Sequence, residues 1–481
     1  ENRFSYSLNN LGRDYINMRK DERTLRAAAN DHGFDPKGEM WRLNSRFVGA
    51  YAEKDAEITL KLWQRFKTEI EVQSLMTVFD LETALIPVML DMREKGVKVN
   101  IDQAEQTKIK LIARKKELVA EIKRDTGVQV EPWVAKSVAK VFDYHNLHYN
   151  NTEGNGQPSF TKAFLQAHPH EVAAKILRLR ELDKASNTFV DNILKFSHKG
   201  RIHCEFHQLR SDDGGTVTGR FSSSNPNLQQ IPARDPEIKA MIRGLFVPDD
   251  DCKWGSFDYS SQEPRLLVHY CASLNEEDRH PAIDDVVAEY HKGDADFHQM
   301  VADMANITRK QAKTVNLGIM YGMGVGKLSH TMDISPEEAK ELLNQYHKKV
   351  PFVKGLADRV SGAAAKHGQI RTILGRLCRF NMWEPRTFGY NKPMPREAAE
   401  KEYGMHLRRA FTYKALNRLI QGSAADQTKQ AMVECYKEGL VPLLTVHDEL
   451  CFNVESKEQA ARITEIMETS LELKVPSKVD Q

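Results

Sequence analysis

Asp258 closes an apolar run, Trp254-Gly-Ser-Phe-Asp258-Tyr259, and an acid pair, Asp448-Glu449, interrupts a second, Leu443-Leu-Thr-Val-His447-Asp448-Glu449-Leu-Cys-Phe. Carboxylates at strand ends suit phosphoryl transfer, which needs two divalent cations about 3.5–4 Å apart, one on the attacking oxygen and one on the leaving group. Mg²⁺ keeps several waters, so one or two protein carboxylates plus substrate phosphates complete its shell. Taken singly, each motif has a plainer reading, an N-cap for Asp258 and a solvated turn for Asp448-Glu449. The two lie far apart in the chain, so only a fold that joins distant strands could use them together.

Between them, Arg309, Lys313, Leu317 and Tyr321 recur at a spacing of four, which places side chains on one helix face. The stripe is cationic at one end and apolar at the other. A nucleoside triphosphate has the same polarity, phosphates at one end and a flat base at the other. An ordinary amphipathic surface helix shows this pattern too. The glycines that follow, Gly322, Gly324 and Gly326, weigh toward a flexible, moving element.

These residues carry a family resemblance. FDYSSQEPR (257–265), RKQAKTVNLGIMYG (309–322) and LLTVHDEL (443–450) resemble the three polymerase motifs of family A DNA polymerases, the group of bacterial DNA polymerase I and short-tailed phage replicative enzymes. TGRFSSSNPNLQQIPAR (218–234) is similar to the segment lining the primer-template minor groove, and Asp296-Phe-His298 to the one whose histidine meets the triphosphate. GQIRTILGR (368–376) resembles the late fingers and ALNRLIQGSAAD (415–426) the helix that contacts the template. The similarity covers nearly the whole chain in the family's order.

The resemblance implies an α+β right-hand polymerase fold of palm, fingers and thumb, with a partial exonuclease domain at the N-terminus. It implies a DNA-dependent DNA polymerase that adds deoxynucleotides to a primer 3′ end with two Mg²⁺ ions, in phage or bacterial DNA replication. Asp258, Asp448 and the Tyr259 backbone carbonyl would hold the metals. Glu449 is assigned a supporting part, because successive side chains on an extended chain point to opposite sides. Arg309, Lys313 and His298 would meet the triphosphate, with Lys313 protonating the leaving pyrophosphate, and Leu317 and Tyr321 would meet sugar and base. Arg220, Gln229, Gln230, Arg234, Asn417, Gln421 and His447 match positions that hold primer and template. Glu263 matches a side chain that blocks a ribose 2′-OH, which favours DNA over RNA synthesis, while Pro264 and Leu317 depart from the family's usual residues.

Composition agrees with a large globular enzyme: 481 residues, 41% hydrophobic and 28% charged, enough for several domains. No apolar run is long enough to span a membrane and no signal peptide is evident, so a cytoplasmic location in a bacterial cell or phage-infected host is expected. The six cysteines include no CxxC pair, against both a zinc site and a disulfide framework. A net charge of only +2 requires DNA affinity to come from local patches. One such patch is Lys108, Lys110, Arg114, Lys115, Lys116, Lys123 and Arg124, which alternate with apolar residues at helical spacing and would suit a thumb gripping duplex phosphates. Residues 146–159, rich in Asn and Gly, read as an exposed loop at the thumb tip.

Near the N-terminus, Tyr51 and Asp55 resemble the last metal-binding segment of a 3′ to 5′ exonuclease. No DxE motif precedes them, and Asp80-Leu-Glu82 comes too late. The chain therefore reads as a fragment that begins inside that domain and stops short of a final segment beyond Gln481, and no exonuclease activity is expected of it. The expected divisions are a partial exonuclease over 1–70, thumb and connecting helix over 71–200, palm over 201–271 and 416–481, and fingers over 272–415. The expected partners are primer-template DNA and deoxynucleotides, with no membrane, a monomeric state and an unidentified processivity factor. Two rival readings stay open: a proofreading nuclease, which explains only Tyr51 and Asp55, and an inactive DNA-binding module, which would be expected to lack Asp258, Lys313 or Asp448.

Overall fold

The computed structural model describes residues 5–152, 154–209, 215–232, 235–293, 295–332, 334–387, 389 and 391–481. Among them every strand pairing is antiparallel, and the largest sheet has four strands. These are β1 (Lys253–Tyr259), β2 (Leu444–Val446), β3 (Glu449–Val454) and β4 (Val479–Asp480), in the order β2-β3-β1-β4. Strand alternation sorts its faces. Phe257 and Tyr259 of β1 and Leu450, Phe452 and Val454 of β3 turn to one side and are buried. Ser256, Asp258 and Glu449 take the other, and the register sets both Glu449 and Asp480 directly opposite Asp258.

Seven helices bear on the site: α1 (Met76–Lys95), α2 (Ile101–Thr126), α3 (Glu171–Lys184), α4 (Gln262–Ala272), α5 (Phe297–Ala305), α6 (Arg309–Met320) and α7 (Ala415–Lys437). α7 is buried along most of its length, its polar residues Ser423, Asp426, Gln427, Thr428 and Lys429 included. Its first half, with Leu416, Leu419, Ile420 and Ala424, shares a core with α4, α5 and α6. Its second half, with Ala431, Met432 and Cys435, packs under the four-stranded sheet together with Leu81, Leu85 and Met92 of α1. One helix thereby joins the helical layer to the sheet.

Outside the main sheet the strands form small pairings of their own, and one sequence expectation needs correction, the loop over 146–159. The strands near Arg201 lie outside the main sheet: Arg201–Ile202 pairs with Val97–Lys98, and Glu205–His207 with Ser222–Ser224. The place beside β1 goes instead to β4. Residues 146–159 include a short hairpin, Asn150–Asn151 against Pro158–Ser159, so they are not loop alone. Part of the basic stretch of α2 lines a groove distinct from the cleft on the other side of α3. That cleft, between α3 and the β2-β3 turn, is lined by Lys162, Glu181, Lys184, Gln230 and His447. Lys115, Lys116 and Lys123 line a different groove with Asp183, and positions 181 and 183 are about 200° apart around the helix. The remaining cations of the stretch are partly spent locally, Lys108 on Asp191 at 2.7 Å and Arg114 on Glu117 at 3.1 Å.

Candidate active site

β1 and the β2-β3 turn bring the two distant acids together. The Tyr259 backbone N–H donates to the Asp448 carbonyl at 3.3 Å, so Asp448 sits beside the end of β1 that carries Asp258. His447 makes the turn in the left-handed region, φ 61°. Gln229, buried beside it, clamps the hairpin: its Nε2 donates to the Thr445 carbonyl at 2.7 Å, and its Oε1 accepts from the His447 N–H at 3.0 Å. Gln229 therefore positions the acid hairpin, with one N–H and one lone pair of its amide used in doing so.

Glu449 is buried and neutralised, with both oxygens 2.9 Å from Arg243 Nη1 and a hydrogen bond from Ser256 Oγ. With Glu449 held in this way, Asp258, Asp448 and the exposed Asp480 opposite Asp258 are the carboxylates open to a ligand. The Tyr259 ring is buried and its hydroxyl donates to the Met467 carbonyl at 2.6 Å, so only its backbone could meet a cation. Among the described residues no group of three or more His, Cys, Asp or Glu side chains could hold a metal. Two carboxylates completed by water and substrate phosphate fit Mg²⁺.

The pair is electrostatically uncomfortable. Partial burial and then the neighbouring carboxylates of Asp448, Glu449 and Asp480 push Asp258 up to about 7, and burial raises Asp448 as well. The folded value of Asp258 thus exceeds its unfolded one, 3.8. Its ionisation costs nothing below about pH 4, where both states are protonated, grows costly from there to about pH 7, and stays so above. Asp258→Asn is accordingly expected to raise the melting temperature of the metal-free protein at about pH 8 and to leave it unchanged at about pH 4. Equal melting temperatures at the higher pH would count against this crowding of charge.

α6 presents the cationic stripe. Its N-terminus carries a capping box between Thr308 and Gln311. Arg309 opens the first turn and pairs with Asp296 at 2.6 Å, while Asp296 also caps α5 through the His298 N–H at 2.9 Å. Lys313 is exposed and has no ion pair among the described residues. Leu317 packs partly against the helical core. His298 is buried, and that burial lowers its pKa, so the ring is neutral at physiological pH. Asn316, fully buried, fixes the tautomer: its Oδ1 accepts from the Tyr346 hydroxyl at 2.6 Å, so its Nδ2 donates to His298 Nδ1 at 3.0 Å and the proton lies on Nε2. Asn316 went unnoticed in the sequence, where only its place between Lys313 and Leu317 could have marked it.

Tyr321, the C-cap of α6, completes a junction of three motifs. Its hydroxyl donates to Glu263 Oε2 at 3.1 Å and also meets Gln421, while Glu263 Oε1 accepts from Arg220 Nη2 at 2.5 Å. Gly322 follows with φ +67°, and a Cβ there would lie 2.9 Å from the Tyr413 carbonyl oxygen. The glycine-rich stretch is shorter than expected, since a new helix begins at Val325. Asn417 and Gln421 lie on α7 four residues apart, and Gln230 and His447 are exposed to the cleft. Arg234 lies outside the described residues.

Behind this junction lies a buried ionic cluster. Arg376 Nε contacts Asp426 Oδ1 at 2.8 Å, and its Nη2 lies 2.6 Å from Glu82 Oε1. Lys429 Nζ reaches the same Glu82 oxygen at 2.7 Å. The Arg376 side chain backs Gly219, φ +83°, where a Cβ would come within 3.1 Å of it. Arg220 is the next residue, so the cluster braces its backbone. At the N-terminal end, Tyr51 and Asp55 sit one turn apart on Ser45–Val72, and Lys20 Nζ bridges them at 3.1 and 2.7 Å.

The sequence signature of DNA polymerase family A matches residues 101–481. A DNA-directed DNA polymerase of Pseudomonas phage M6 is 35% identical over 524 residues, covering 99% of this chain and 76% of that protein. DNA polymerase I of Treponema pallidum is 31% identical, over 89% of this chain and 42% of that protein. Among solved structures, the POL domain of Pol1 from M. smegmatis in complex with DNA primer-template and dNTP aligns with a TM-score of 0.77 and 26% identity, over 99% of this chain and 78% of that one.

Proposed function

The chain belongs to DNA polymerase family A, and from that premise we propose that it is a DNA-directed DNA polymerase extending a primer 3′ end by two-metal phosphoryl transfer. The observation that carries the chemistry is the meeting of Asp258, at the end of an inner strand, with Asp448 in the adjoining β2-β3 turn. The named ligands of the M. smegmatis structure, primer-template DNA and dNTP, are the partners we assign. The phage relatives support a place in phage or bacterial DNA replication. We assign 201–271 and 416–481 to the palm, 272–415 to the fingers, 71–200 to the thumb and its connecting helix, and 1–70 to part of an exonuclease domain. No helix among the described residues is long and apolar enough to cross a membrane.

Asp258, Asp448 and the Tyr259 carbonyl would hold two Mg²⁺ ions. When bound, these lower the pKa of the attacking 3′-hydroxyl and shield the charge on the leaving group. Arg309 and the His298 Nε2–H face the phosphates, where preset donors stabilise developing charge. Lys313, free of any carboxylate partner among the described residues, delivers a proton to the departing pyrophosphate. Gln230, His447, Asn417 and Gln421 hold primer and template. Extension of a labelled primer-template with Mg²⁺, run with and without deoxynucleotides, tests the reading. Growth of the primer only when deoxynucleotides are present supports it, and Mg²⁺-dependent shortening or mere binding sinks it.

Glu263 is held at both oxygens, by Arg220 and Tyr321, so it cannot swing away from an incoming sugar. Glu263→Ala is expected to raise ribonucleotide use about tenfold or more, equal to about 1.4 kcal/mol of lost discrimination. Competition between matched ribo- and deoxynucleotides measures it, and an unchanged ratio would place the gate elsewhere. Leu317 offers no ring and no hydroxyl to the sugar. Leu317→Tyr is therefore expected to improve acceptance of dideoxynucleotides relative to deoxynucleotides in single-turnover incorporation, and an unaltered selectivity ratio would make Leu317 a neutral core position.

A further inference from the structure

On the side of α3 turned away from the cleft, α2 and the loop after it enclose a second groove of about 590 Å³. Its floor is apolar, built from Val119 and Ala120 of α2 and from Val130 and Pro132 of the loop. Trp133 stands on its wall with 58% of its surface open to water, and Val134 beside it is 46% open. The indole is not loose. Its N–H donates to Asp183 Oδ2 at 2.7 Å, and the Arg180 guanidinium lies 5.2 Å from its ring centre. The same guanidinium donates through Nε to the Pro132 carbonyl at 2.7 Å, tying the loop to α3. A ring fixed before anything binds gives up little freedom on binding.

The charges around this floor are arranged at its ends. Lys115 is spent on Asp183. Lys116 and Lys123 are exposed and have no ion pair among the described residues. They lie seven residues apart on one helix face, so they flank Val119 and Ala120 at a separation of about 10 Å. An extended chain advances about 3.3–3.6 Å per residue, so acids three positions apart span the same distance.

We infer that this groove docks an extended acidic segment of a partner protein. An apolar side chain of that segment rests on Trp133, and acids three residues apart meet Lys116 and Lys123. A single DNA strand fits less well. A strand is held by stacking successive bases on successive rings, and the groove offers one, Trp133, while Asp183 on its rim is already taken up by Lys115 and the indole N–H. The site is independent of the polymerase chemistry proposed above, and a partner held there leaves the cleft open.

The test uses the full chain and a fluorescein-labelled peptide, Gly-Ser-Asp-Phe-Leu-Asp-Gly-Ser, followed by fluorescence anisotropy at low salt. Saturable binding is expected, weakened at least about tenfold by Trp133→Ala and by the double variant Lys116→Glu/Lys123→Glu, which leaves the packing of α2 intact. Primer extension by Trp133→Ala should match the parent. The same peptide with both Asp replaced by Asn should bind at least about tenfold more weakly. No saturable binding, equal binding by the charge-reversed double variant, or equal binding of the Asn peptide overturns the inference. So does displacement of the peptide by an oligothymidylate whose own binding falls in Trp133→Ala, which would assign the groove to single-stranded DNA.

Discussion

Asp258→Ala and Asp448→Ala are each expected to cut nucleotide incorporation by at least about 10²–10³-fold, the scale of one lost transition-state electrostatic contact, while binding of primer-template DNA largely survives. The asymmetry follows from geometry. Both acids lie at the strand ends of the sheet, where chemistry would take place, whereas DNA affinity would rest on phosphate contacts made by other residues. Arg243 and Ser256 already hold Glu449, so it cannot substitute for either without breaking a buried pair. Single-turnover incorporation beside a DNA-binding titration decides the matter. Incorporation near the parent rate by either variant would remove the two-metal assignment, and loss of DNA binding in parallel would recast the acids as structural.

Asp426→Ala should destabilise the protein by about 3–5 kcal/mol, the cost of stranding a buried charge. Asp426 is fully buried, and its carboxylate answers the Arg376 guanidinium, the Thr372 hydroxyl at 2.5 Å and the Leu374 N–H at 3.4 Å. Truncation leaves Arg376, itself only 8% exposed, to share Glu82 with Lys429. Asp426→Asn, which keeps one accepting oxygen but loses the charge and the second acceptor, should fall between the parent and the alanine variant. Urea unfolding monitored by circular dichroism measures both, and a loss below about 1 kcal/mol for the alanine variant would mean that the cluster relaxes or admits water.

Much of the site was legible because its signals are local. The four-residue spacing of Arg309, Lys313, Leu317 and Tyr321 needs only helix geometry, and the α+β fold was read from the family resemblance of motifs that are themselves short and contiguous. Where the outcome depended on what packs against a residue, the sequence was silent. Gln229 looks like any groove-reading amide until the hairpin of Thr445 and His447 closes on it. Asp480 joins Asp258 only through the register of a two-residue strand. Glu82, in a DxE that fits no nuclease, proves to be the shared anion of Arg376 and Lys429. The basic face of α2 was visible as a face, but which way it points is decided by the rotation of α3 against it. Tyr51 and Asp55 share a turn as their spacing requires, yet an ammonium from Lys20, far away in sequence, lies between them.

Gly322 also has a mechanical meaning. α7 is anchored in two cores at once and acts as a fixed shaft, and the Tyr413 carbonyl that presses on Gly322 belongs to the turn leading into it. α6 is then a lever with its fulcrum at that contact. Its twelve residues give an arm of about 18 Å, so a rotation of about 10° at Gly322 carries Arg309 through about 3 Å, the length of a hydrogen bond. A small turn at a residue with no side chain would be enough to make or break the contact we assign to a triphosphate at the far end, and a β-carbon at the fulcrum would jam it.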